Sequence, residues 1–191
     1  MTHSPLHYMK MVTSFHDGWD DVSALHPAVL KTFLCLVLPM SLLPPAMLLY
    51  AGADHPLTYL MNAPYSRWKM VAAAFFVTEL LTVPLMGWVI KSMAETHRIA
   101  CDFKDSFLLA AITAVPLWVS SLGLAIDNMW IMIIALVAGL MTSASLLYHG
   151  TYTILRLEDD EEAHALSSSA FSVGGLVWAF LCAFVVLPLI A

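Results

Sequence analysis

The sequence predicts an all-α integral membrane protein, one bundle of five transmembrane helices whose spans are kinked by proline. Three observations carry this. Of 191 residues, 60% are hydrophobic and only 12% charged, with a mean hydropathy of +0.80; a water-soluble domain of this length needs a larger charged shell. The apolar residues also fall in five long runs separated by short polar stretches. Finally, four of the runs contain proline: Pro39, Pro44 and Pro45 in the first, Pro84 in the second, Pro116 in the third and Pro188 in the fifth. Membrane helices tolerate such residues where neighbours re-satisfy the freed backbone, so kinks are expected. The Pro44-Pro45 pair is expected to break the first span, and broken helices line binding sites in some transporters.

A helix needs roughly 20 mostly apolar residues to cross about 30 Å of hydrocarbon. The spans are placed at residues 28–52, 70–93, 106–126, 128–150 and 169–191, with Asp127-Asn128 as a tight hairpin between the third and fourth. A re-entrant third segment would leave four spans. Residues 1–27 hold no apolar run of signal length, so the first span is expected to direct insertion. The three cysteines, Cys35, Cys101 and Cys182, form no CxxC pair and read as small apolar fillers.

Basic residues orient the bundle. Lys10, Lys31, Lys91, Arg98, Lys104 and Arg156 share the side of the N-terminal tail, against Arg67 and Lys69 on the other. Six of eight cations on one side place the N-terminus in the cytoplasm and the C-terminus outside it. In the tail, Tyr8, Met11, Phe15, Trp19, Val22 and Leu25 step by three or four, which predicts an amphipathic helix within residues 1–27. Its other face carries Asp17, Asp20 and Asp21 and lacks the Lys/Arg of an anionic-lipid binder, so it lies along the interface or packs on the bundle.

Small residues mark packing seams. Ala135, Gly139 and Ser143 recur every fourth residue on the fourth span, as do Gly175, Ala179 and Ala183 on the fifth. Such faces let backbones approach closely, within the chain or, as a sharper reading, across a homodimer.

Glu79 is the one acidic or basic residue deep within a span. Burying a carboxylate in hydrocarbon is costly, so it marks either a proton- or cation-binding residue or a hydrogen-bonded tie between helices. Thr82 shares its helix face and offers a hydroxyl. Transport requires Glu79 to face a polar cavity reachable from one side; a scaffold requires it sealed between helices with no cavity beside it.

Seven of the eight histidines (His3, His7, His16, His26, His97, His149 and His164) and eleven of the fourteen acids lie on the tail side. His16 and Asp20 are spaced i,i+4, as are Asp160 and His164 within an acidic run that includes Glu158, Asp159, Glu161 and Glu162. Imidazole and carboxylate together suit zinc or a similar divalent ion, should the tail fold back on the fourth-to-fifth connection. Solvated acids that favour a helix N-terminus, with histidines at the headgroup level, explain the same pattern without a metal. No HExxH, GxSxG, phosphate-cradling glycine loop or dinucleotide fingerprint occurs, so no enzyme activity is expected. With a net charge of -6 and no basic patch, no nucleic-acid partner is expected either.

Several short motifs resemble a known family. They are His26-Pro27 before the first span, and Leu38-Pro39, Leu43-Pro44-Pro45 and Tyr50-Ala51-Gly52 along it. Ala114-Val115-Pro116-Leu117-Trp118 lies in the third span, and Leu147-Tyr148-His149-Gly150-Thr151-Tyr152 closes the fourth. Together they resemble the bacterial inner-membrane branch of the Ypt-interacting-protein (Yip) family. The resemblance implies five spans over residues 28–191, a cytoplasmic N-terminus and a short exoplasmic C-terminus. Eukaryotic members are associated with vesicle traffic, small Rab-type GTPases and membrane shaping, and carry an Asp-Leu-Tyr-Gly-Pro motif before the first span. This chain has none there, which removes the basis for carrying over GTPase binding. The expected function is that of a non-enzymatic membrane protein that organises membrane or partner proteins, with a small permease or divalent-cation or proton-coupled transporter as the alternative.

Overall fold

The computed structural model describes Trp19, Val22 and residues 27–54, 63–155 and 160–190. Among these every regular element is helical, and five helices are long and apolar enough to cross a membrane. They are α1 (Val29–Asp54), α2 (Tyr65–Thr96), α3 (Phe103–Ala125), α4 (Met129–Ile154) and α5 (Asp160–Ile190). The third segment is a helix long enough to cross, α-helical over Phe103–Ser120 and 3-10 over Ser121–Ala125, which favours five spans over the re-entrant alternative.

Helices extend beyond the expected spans at their polar ends. α5 starts at Asp160, nine positions before the expected 169, with Glu161 and Glu162 in its first turn. Acidic side chains favour the positive end of the helix dipole, so this stretch is helical without being apolar. α2 likewise runs from Tyr65 to Thr96 and ends with Arg98 at φ 61°, whose neighbour Ile99 donates its N–H back to the Ala94 carbonyl. That is the closing turn of a helix made with arginine where glycine is usual.

Proline shapes α1 most. Upstream of Pro39 the helix widens into a π turn over Phe33–Val37, with the Leu38 N–H reaching the Phe33 carbonyl. The ladder is interrupted at Ser41 and Leu42 and restarts at Leu43, which puts Pro44 and Pro45 in a first turn whose N–H groups would lack helical partners anyway. The pair does break the span, at the two residues just before it. α2, α3 and α5 continue through Pro84, Pro116 and Pro188.

The Asp127-Asn128 hairpin is tight, as expected. Asn128 Oδ1 accepts from the backbone N–H groups of Trp130 (2.9 Å) and Ile131 (3.3 Å), capping α4. α3 and α4 then pack at close range. A Cβ at Gly139 would lie 2.8 Å from both the Pro116 carbonyl oxygen and Ser120 Cβ, so only glycine fits without a shift. One turn on, Ser143 Oγ donates to the Thr113 carbonyl, beside the Ile112 carbonyl that Pro116 leaves without its helical donor. The fourth-span small-residue face is therefore consumed within the chain. On the fifth, a Cβ at Gly175 would meet nothing, and Ala179 and Ala183 are exposed.

Of the predicted tail face, Trp19 and Val22 are described; positions 8, 11, 15 and 25 lie outside the described residues. Trp19 is fully buried against Gly150 and Leu109, and Val22 packs on the same core. This core fills the half of the bundle nearest the tail, with Val83, Ile90, Phe107 and Leu147. A second core, with Leu48, Trp68, Phe75 and Leu181, fills the opposite half. There Arg67 Nη1 donates to the Pro188 carbonyl at 3.1 Å and ties the start of α2 to the end of α5.

Candidate functional site

Glu79 lies near the middle of α2, one helical turn from Phe75 of one core and from Val83 of the other. Its residue is only 7% exposed, so its carboxyl must be answered by protein. Trp118 of α3 answers one oxygen: its indole Nε1 donates to Glu79 Oε1 at 3.0 Å, a fully buried bond between two spans. The second oxygen, Oε2, is buried with no hydrogen-bond partner among the described residues. Thr82, expected to offer Glu79 a hydroxyl, instead donates to the Glu79 backbone carbonyl at 3.0 Å. Its proton is spent within its own helix.

Two clefts meet at this carboxyl. One, of about 110 Å³, runs toward the tail half between Val83, Met86 and Ile90 of α2, Thr113 of α3 and Phe171 and Gly174 of α5. The other, of about 190 Å³, runs the opposite way and is walled by Leu48, Trp68, Phe75, Leu124, Met132 and Leu189. Glu79, Leu117 and Trp178 line both and form the partition between them. Both linings are predominantly apolar. Glu79 thus differs from each simple expectation: cavities do adjoin it, and they are not the polar kind that a hydrated ion path requires.

Sequence reasoning found Glu79 and missed Trp118, Trp178 and the clefts. A signal for Trp118 was present. Tryptophan in membrane proteins gathers at the headgroup level, where its N–H stays wet. Trp118 sits deep in a span, so its N–H needed an acceptor, and Glu79 was the one deep carboxyl available.

The proposed metal ligands are not brought together by what is described. His16 and Asp20 lie outside the described residues, as does the side chain of Asp160. His164 is exposed at the start of α5, its ring edge-on to Tyr148 at 5.7 Å. His149, on the next position of α4, directs Nδ1 to the Ser145 carbonyl at 2.7 Å. Among the described residues no three His, Cys, Asp or Glu side chains are placed to hold a metal ion.

The family model of the Yip1 domain matches residues 9–181, from within the tail to late in α5. The chain belongs to the Yip1-domain family. No curated protein and no solved structure matches it. The Yip1 domain here is a multi-pass membrane bundle in contact with lipid, and Glu79 with Trp118 lies at its centre.

Proposed function

We propose that this Yip1-domain chain is a non-enzymatic protein of the bacterial inner membrane that organises membrane or partner proteins. The observation that supports this reading is the Glu79–Trp118 bond. The one acidic residue deep within a span is used to hold α2 to α3, between apolar walls, as a tie between helices is. Reconstituted in vesicles, the protein is expected to give no Glu79-dependent flux of protons or divalent cations. A flux that Glu79→Gln abolishes, in a variant that still elutes as folded protein, overturns the reading.

The unpartnered Oε2 favours a second reading, a small permease or cation- or proton-coupled transporter. In that case Glu79 binds the ion in the membrane, while His16, Asp20, Asp160 and His164 gather zinc or a similar ion at the cytoplasmic face. The same vesicle assay separates the two.

The basic residues orient the bundle with its N-terminus in the cytoplasm. Maleimide labelling of Asp160→Cys is expected from the cytoplasmic side and of His55→Cys from the opposite side; the reverse at both positions ends this topology. Cys101, in the α2–α3 connection, is a useful internal reference. Burial first, and the Asp105 carboxylate second, push its thiol above the ordinary range. It therefore carries less thiolate at a given pH, and its labelling accelerates at higher pH than that of an exposed introduced cysteine. A homodimer, if formed, uses the fifth-span face of Gly175, Ala179 and Ala183, because the matching face of the fourth span is already covered by α3.

A further inference from the structure

The geometry points to a lipophilic binding site at Glu79 that takes a neutral single-chain amphiphile, its hydroxyl on the Glu79 carboxyl and its apolar chain in the larger cleft. The cleft is a built feature of the bundle: Leu48 of α1, Phe75 of α2, Leu124 of α3, Met132 of α4 and Leu189 of α5 each supply part of its wall. At about 190 Å³ it exceeds the roughly 150 Å³ of an engineered apolar cavity that stays dry and binds benzene. It is also elongated. Trp68, Phe75 and Glu79 lie on one face of α2, and the eleven steps from Trp68 to Glu79 rise about 16 Å along the helix. A narrow apolar slot of that length suits an extended alkyl chain better than a compact ring system.

Each end of the slot carries a polar requirement: an acceptor, Glu79 Oε2, at one and a donor, the indole N–H of Trp68, unpartnered among the described residues, at the other. Glu79 Oε2 is buried without a partner among the described residues, and such an oxygen is costly until something pairs with it. Water is a poor answer, because a buried water needs two to four polar partners. The hydrogens that α3 brings near Glu79 are committed: Trp118 Nε1 to Glu79 Oε1, Ser120 Oγ to the Leu117 carbonyl and Ser121 Oγ to the Trp118 carbonyl. A ligand hydroxyl both donates and accepts, so it pairs with the carboxyl in either protonation state. An ester oxygen only accepts and an ammonium only donates. The site is distinct from an ion-binding role for Glu79 and does not depend on the organising function proposed above.

Photolabelling of the full chain in nanodiscs with a diazirine-bearing decanol tests this. Cross-links are expected at Phe75, Leu124 or Met132. Unlabelled decanol should displace the probe roughly tenfold better than decane at equal mole fraction in the bilayer, the worth of one hydrogen bond to a buried group. Glu79→Leu should erase that preference, whereas Glu79→Gln, which can still donate and accept, should keep it. Leu124→Trp, which fills the slot, should remove the labelling while elution as folded protein is unchanged. Cross-links confined to lipid-facing positions such as Leu81 and Val137, equal displacement by decanol and decane, or labelling that survives Leu124→Trp would overturn the site.

Discussion

The α3–α4 hairpin and the α2–α5 seam are built from similar residues and pack in opposite ways. In the hairpin, Gly139 brings the α4 backbone onto Pro116 and Ser120, Ser143 donates to a carbonyl of the neighbouring helix, and Asn128 caps the turn. Nothing is left over. Along the seam, Gly174 meets only the flexible end of Met86 and Gly175 meets nothing, so α5 stands off and clefts remain on both sides of Glu79. Small residues therefore do not by themselves make a tight interface. The partner must present backbone or short side chains at the same height, as Pro116 and Ser120 do for Gly139, and α2 presents Met86 instead. The close-packed pair supplies rigidity, and the loose pair borders space in which a buried carboxyl can meet something other than protein.

One substitution made twice gives the largest contrast. Gly139→Ala drives a methyl into a backbone carbonyl and is expected to destabilise by about 1–3 kcal/mol. Gly175→Ala adds a methyl in open space and is expected to be neutral or to stabilise by a few tenths of a kcal/mol or more, since alanine suits a helix interior better by about 1 kcal/mol. Resistance to unfolding in mixed micelles measures both. Equal losses would break the contrast, and a loss at Gly175 accompanied by dissociation of a dimer would show that a second copy covers that face. A smaller effect is expected for Ser143→Ala, which deletes the inter-helix donor to Thr113 and should cost about 0.5–1.5 kcal/mol. No loss there would mean that helix proximity alone holds the hairpin.

Much of this was legible in the sequence. Five apolar runs, the Asp127-Asn128 turn and the break at Pro44-Pro45 all follow from hydrocarbon thickness and from what proline does to a backbone. The helix ends were less legible, because hydropathy reports the hydrocarbon and is blind to a polar first turn such as that of α5. Glu79 stood out because a carboxylate in lipid is expensive. Its surroundings did not, since nothing in α2 alone states the register at which α3 and α5 lie against it. Trp118 was the exception: a deep indole N–H asks for an acceptor, and read together with Glu79 it predicts the contact. The two small-residue faces looked equivalent by spacing, and only the neighbours told them apart.

A double-mutant cycle on Glu79→Leu and Trp118→Phe, each of which removes one side of the hydrogen bond, read as unfolding free energy in mixed micelles, tests most directly that Glu79 is a tie between α2 and α3. Buried inter-helix hydrogen bonds in membranes couple by about 0.6–1.7 kcal/mol, so each single variant should destabilise and the pair should lose less than the sum by an amount in that range. Losses that add to within about 0.3 kcal/mol would contradict the tie and leave Glu79 without the structural role assigned to it.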